Sequence, residues 1–275
     1  MLKANDEPIL QFIVNYLWGQ MVIPDSQFFL PKMLSEQQTS YDPYHVDEWD
    51  MPQLPEKVDA ACNDDDHLGK CDGYPSLKLK DVTIKGLYNL QPGANKPTIK
   101  NTNLETTLNF CKLPPGKYVT SQYITVTGSY IFTQKCTPLM GGDDYTVIGN
   151  GTFEAQIFEA QGYGNMDIIP DPDHADRLLV RVNAMALIAG PTTTVATCTA
   201  PGAQKNSNIC ISIHMSSGDQ FNFLANQAAN YDQVSKAMVD NINAKLRDPG
   251  ALKDLSNMLT EKVNNIFGMK TAGLI

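Results

Sequence analysis

The residues best suited to chemistry are few. "DPDHAD", Asp171 to Asp176, sets carboxylates and a histidine at short intervals, a pattern of oxygen donors that suits calcium. It lacks the glycine and the distal glutamate of a calcium-binding loop, and so reads as a solvated acidic turn. "NDDDH", Asn63 to His67, reads the same way. His214, in "ISIHMSS", lies on the strand face opposite Ile211 and Ile213, without a partner visible in the sequence. No G-x-S-x-G elbow, H-E-x-x-H helix or P-loop occurs, so no catalytic residue, metal site or cofactor is expected. The six cysteines, Cys62, Cys71, Cys111, Cys136, Cys198 and Cys210, form no C-x-x-C pair, which weakens zinc and thioredoxin readings. Sequential pairing (62/71, 111/136, 198/210) is the economical disulfide reading, although six cysteines allow about fifteen connectivities.

Disulfides imply an oxidising compartment, and "NGT" makes Asn150 a candidate glycosylation site. A secreted, extracellular chain is therefore expected, with any signal peptide already removed. Thirty acidic against 21 basic side chains give a net charge of −9, which argues against nucleic acid as a partner. No stretch approaches the roughly 20 uninterrupted apolar residues of a membrane span. With 275 residues, 42% of them hydrophobic, the chain can bury a large core.

These residues need a frame. Ile9, Phe12, Ile13, Tyr16, Leu17 and Met21 recur at helical spacing, so residues 1–23 read as an amphipathic N-terminal helix. Residues 24–75 read as an extended segment that ends in a small cysteine loop. Residues 76–216 read as long antiparallel strands separated by turn chemistry. In "SLKLKDVTIKGLYNL" the apolar phase slips: Leu77 and Leu79 share a face, and Val82 and Ile84 resume one residue out of step. A slip is absorbed by a bulge, here at Asp81, and a bulge bends its strand. "YVTSQYITVTGSYIF" predicts a strand far longer than the usual 5 to 6 residues. Residues 231–268 carry two helical stripes, Val234 to Leu246 and Leu252 to Phe267, with Asp248 as the N-cap of the second and Pro249 at its first position.

"LKLKDVTIKGLYNL" resembles a strand of the takeout and juvenile-hormone-binding proteins, within the tubular lipid-binding superfamily. "LPPGKYVTSQYITVTGSYIF", "IGNGTFEAQI" and the paired C-terminal helices "VDNINAKLRDPGALKDLSNMLTEKVNNIF" are similar to further regions of that family. Cys62 with Cys71 resembles its short N-terminal disulfide loop. The resemblance, over roughly Cys62 to Phe267, implies a single α+β domain across residues 1–275. In it, a long, highly curved antiparallel sheet wraps a long C-terminal helix as a half-tube, with an N-terminal amphipathic helix. It also implies a non-catalytic carrier with an elongated hydrophobic tunnel for a lipid, terpenoid, fatty acyl or carotenoid-like molecule. Candidate lining residues are Val82, Ile84, Ile124, Val126, Tyr130, Phe153, Ile157, Met185, Met238 and Ile242, with Phe12 and Trp18 closing one end. Met21, Met215 and Met258 also fall on predicted inward faces, where flexible thioethers fill cores or line pockets. The alternative is a structural or protein-interaction domain of the same fold with a filled core.

Overall fold

The structure, a computed structural model, describes residues 7–29, 32–33, 42–51, 60–63, 68–71, 74–87, 90–92, 96–110, 124–138, 142–158, 160–174, 177–189, 204–206, 209–216 and 232–266. Among them, α1 (Glu7–Gln20) opens the chain, and α2 (Asp232–Leu246) and α3 (Pro249–Ile266) end it. Asp248 caps α3: its Oδ1 accepts from the Ala251 N–H at 3.0 Å. The class is α+β, and the antiparallel strands divide between two sheets.

The first sheet runs in the order β1 (Tyr44–Asp50), β4 (Ser76–Lys85), β8 (Ile124–Pro138), β9 (Tyr145–Phe158), β13 (Ile209–Ser216) and β12 (Gln204–Asn206). A hairpin of β2 (Ala60–Asn63) and β3 (Leu68–Cys71) joins the far end of β8. The stretch 24–75, read as extended, therefore contributes an edge strand, and its Trp49 is buried in the core.

The second sheet is β11 (Leu178–Ala189), β10 (Ala160–Pro170), β7 (Asn103–Phe110) and β5 (Leu90–Pro92), with β6 (Thr98–Lys100) also on β7. Only residue 159 separates β9 from β10, yet the two strands belong to different sheets.

The phase slip in β4 is a bulge. Lys80 pairs with Ser129 and Thr83 with Thr127, so Asp81 and Val82 together face Gly128 alone. Asp81 takes a left-handed φ of 50°. Leu77, Leu79, Val82 and Ile84 are all buried as a result. Gly128 accepts the bulged strand by having no side chain: a Cβ there would stand 2.6 Å from the Lys80 carbonyl oxygen and 2.8 Å from the Phe153 ring.

Beneath the first sheet, Val234, Met238 and Ile242 of α2 pack with Ile84, Val126 and Ile157 in one closed cluster. Cys136 is buried on β8 and is disulfide-bonded. Cys111 and Cys198 lie outside the described residues. The hairpin places Cys62 opposite Gly69 and Cys71 opposite Ala60, so the two cysteine positions sit on neighbouring strands, two residues out of register. Asn150 is exposed on β9, opposite Ile131 of β8.

Helices seal both edges of the second sheet with polar side chains. An edge strand presents unpaired N–H and C=O groups that must be satisfied or covered. Along β11, the N–H groups of Val182, Val180 and Leu178 donate to Ser256 Oγ, Thr260 Oγ1 and Asn264 Oδ1 of α3, each at 2.9 Å. Asn264 Nδ2 returns a bond to the Leu178 carbonyl at 2.8 Å. The match follows from geometry: four helical residues rise about 6 Å, and two strand residues advance about 6.6 Å. Asn243 of α2 continues the seal by accepting from Leu187 N–H at 2.7 Å. At the opposite edge Gln11 of α1 does the same for β6, accepting from Ile99 N–H at 2.9 Å and donating to the Pro97 carbonyl at 3.0 Å.

Candidate ligand cavity

With α1 and α3 fastened to opposite edges, the face of the second sheet between them is roofed and not filled. From the sheet, Leu104, Thr106 and Leu108 on β7 and Gly162, Gly164 and Ile168 on β10 border the space. Val180, Val182 and Met185 border it from β11. Val14, Leu17, Trp18 and Met21 come from α1 and its C-terminal end, and Leu255, Met258, Leu259 and Val263 from α3. The partly open cavity they line measures about 180 Å³ and is almost wholly apolar. That is somewhat more than the roughly 150 Å³ apolar cavity that stays dry and admits a benzene ring.

Two local features create the void. Glycine at 162 and 164 removes side chains where the alternation of β10 points inward. A Cβ at Gly164 would meet Thr106 Cγ2 at 3.5 Å and Met166 Cε at 3.9 Å, both ordinary contacts. The second feature is a bulge in β11. Ala184 pairs with Asn165 but Val182 with Met166, leaving Asn183 as the extra residue. The bulge brings Val180, Val182, Met185 and Leu187 to one face although their spacing changes phase.

Asn183 faces outward instead, where its amide donates to Asp167 Oδ2 at 2.9 Å and to Asn165 Oδ1 at 3.0 Å. Asn103 Nδ2, at 2.8 Å from Asp167 Oδ1, and then Asn183 hold that carboxyl below its ordinary range, because both amides favour the charged form.

The predicted lining residues fall into three groups. Trp18 and Met185 border the cavity. Val82, Ile84, Ile124, Val126, Tyr130, Phe153, Ile157, Met238 and Ile242 lie in the closed cluster beneath the first sheet. Phe12 points outward at 71% exposure. The correction has a physical cause: apolar alternation marks an inward face equally well whether the interior is packed or hollow. Of the inward methionines, Met21, Met185 and Met258 reach the cavity, whereas Met215 and Met238 are core. A Val126→Trp variant, which would block a tunnel if Val126 lined one, is instead expected to overpack the core and destabilise the fold by about 1–3 kcal/mol in urea unfolding.

Two elements missed in the sequence, β7 and β10, supply much of the wall, whereas the α3 stripe through Leu255, Leu259 and Val263 and the inward Met258 are where the sequence puts them. The phase change from Val182 to Met185 was legible by the same reasoning that located Asp81.

Other candidate chemistry resolves locally. Asp171 Oδ1 accepts from its own turn, at Asp173 N–H, at 2.9 Å, and Oδ2 meets His174 Nδ1 at 3.2 Å. That backbone bond chiefly lowers the Asp171 pKa. Among the described residues no three histidine, cysteine, aspartate or glutamate groups converge on a metal site, and His214 is exposed. No helix among them is long and apolar enough to cross a membrane.

The fold resembles two solved structures. One is a lipopolysaccharide binding protein, at 12% identity and a TM-score of 0.41, covering 86% of this chain and 37% of that one. The present chain thus spans little more than a third of that relative's length. The other is Takeout 1 of Epiphyas postvittana, at 12% identity and a TM-score of 0.36, covering 88% of this chain and 90% of that one. No protein-family model matches the chain, and no curated protein sequence matches it significantly. Neither likeness carries a functional conclusion; the cavity does.

The wall also includes Tyr163, Lys245 and Asp254, and Thr106 is its buried hydroxyl. It is 7% exposed, and its Oγ1 is buried with no hydrogen-bond partner. An unpaired buried hydroxyl carries its desolvation penalty uncompensated, so Thr106→Val is expected to raise the stability of the empty protein by about 1 kcal/mol, read from the urea midpoint at unchanged m-value.

Proposed function

We propose that this protein is a non-catalytic carrier that holds an apolar small molecule between α1, α3 and the second sheet. The observation that carries the reading is the partly open, almost wholly apolar space of about 180 Å³. Folding alone gains nothing from an apolar void, because its lining forgoes dispersion contacts. Preformed pockets with mostly apolar linings and few polar groups are the usual form of small-molecule sites. A filled-core interaction domain would account for the first sheet and α2 but not for this void. We further propose that the carrier works outside the cell, a reading supported by the disulfide-bonded Cys136 and the exposed sequon at Asn150.

Native mass spectrometry before and after organic extraction tests the carrier reading. The expected result is an extractable apolar molecule at up to one per chain. An empty protein that also fails to take up a neutral fluorescent probe such as N-phenyl-1-naphthylamine would refute it.

A further inference from the structure

The cavity is not uniform along β10. Gly162, Gly164 and Met166 face it in turn, and each has a cross-strand neighbour on either side. Gly162 lies between Leu108 of β7 and Leu187 of β11, and Gly164 between Thr106 and Met185. The two glycines therefore leave a slot one strand wide, floored by bare backbone and walled by the side chains of β7 and β11. From one glycine to the next the strand advances about 6.6 Å, close to the width of a single aromatic ring.

Two thioethers bound this slot. Met166 closes one end, with its Cε 3.9 Å from where a Cβ on Gly164 would stand. Met185 is the residue directly opposite Gly164, a position at which Cβ atoms stand about 4.5–5.5 Å apart. Both methionines are half-buried and border the cavity. From the helical side, α1 brings Trp18 and α3 brings Met258 to the same space.

Aliphatic side chains make up most of the remaining wall, and they take any apolar group without preference. A thioether is different: its polarisable sulfur makes favourable contacts with aromatic rings, often at the ring edge. An indole adds offset-stacked or edge-to-face contacts with a second aromatic ring. Shape acts in the same direction, since a planar ring enters a narrow slot that a puckered saturated ring is too thick to fit closely.

We propose that the ligand carries a planar aromatic ring, which occupies the slot over Gly162 and Gly164 with Met166 and Met185 at its rim and Trp18 on the helical side. This rests on the carrier reading and specifies its ligand.

The test is displacement of N-phenyl-1-naphthylamine from the full chain by toluene and, in parallel, by methylcyclohexane, which has the same carbon skeleton with a saturated ring. Wild type is expected to bind toluene at least as tightly, although transfer from water alone favours the saturated ring with its larger apolar surface. Met166→Leu/Met185→Leu removes both sulfurs in a volume-conserving change of the kind that cores tolerate. The ratio of toluene to methylcyclohexane affinity should fall by about tenfold in this double variant and by about threefold in each single variant. A ratio in the double variant within about twofold of wild type, tighter binding of methylcyclohexane by wild type, or a bound probe that neither hydrocarbon displaces would overturn the aromatic assignment and leave the carrier reading intact. Failure of the probe and both hydrocarbons to bind would overturn the carrier reading as well.

Discussion

Gly128→Val is expected to lower the unfolding free energy by about 3 kcal/mol or more, at the upper end for overpacking. A Cβ at 128 would lie 2.6 Å from the Lys80 carbonyl oxygen, 2.8 Å from the Phe153 ring and 3.2 Å from the Asp81 carbonyl oxygen. Two of these three neighbours are backbone, fixed by the bulge that lets Leu79 and Val82 both avoid water. A side chain there must push β4 off β8 or displace Phe153. The larger effect follows if the bulge is lost, because a one-residue slip would turn Val82 and Ile84 outward. Urea unfolding measures it; a loss below about 0.5 kcal/mol, the scale of an ordinary surface change, would show that the strands separate there at little cost.

Asn264→Leu is expected to cost about 2–4 kcal/mol, although leucine is close in size and more apolar. Asn264 is 2% exposed and satisfies both backbone groups of Leu178. Leucine would leave the part-buried N–H and C=O of Leu178 unpaired, each costing about 1–3 kcal/mol where water cannot replace the lost partner. Hydrogen exchange adds a local signature: the Leu178 amide should lose protection more than those of Val180 and Val182, which Thr260 and Ser256 still hold. Uniform loss across all three amides would mean that α3 detaches as a unit and that Asn264 has no special role.

The helices and strands that pack into the closed core were legible because their signals are local. The Asp248 cap and Pro249 start of α3 and the Asp81 slip each name a residue and a consequence, and each is in place; α1 is a helix as expected, but it buries Leu10, Val14, Leu17 and Trp18 and leaves Phe12 and Tyr16 of the expected stripe exposed. The division into two sheets was not legible, since nothing in the alternation of "GTFEAQIFEAQGYG" says that the chain changes sheets at residue 159. The cavity was hidden for a different reason. A search for inward apolar side chains finds filled space, whereas this void is made by what Gly162 and Gly164 lack. The Ser256, Thr260, Asn264 stripe was visible at i, i+4, i+8. Polar spacing alone does not tell a solvent face from one bonded to a sheet edge, and here it is the latter.

The central claim is that the space between α1, α3 and the second sheet is a binding site. Gly164→Leu tests it most directly, because a Cβ at 164 makes only ordinary contacts, 3.5 Å from Thr106 Cγ2 and 3.9 Å from Met166 Cε, and because leucine is better suited than glycine to a strand. Affinity for N-phenyl-1-naphthylamine should be measured for wild type and Gly164→Leu, alongside the thermal midpoint of each. The account predicts that wild type binds, that the variant loses at least about tenfold in affinity as leucine occupies a pocket of this kind, and that the midpoint is unchanged or raised. Undiminished probe binding by a stably folded Gly164→Leu variant would contradict it.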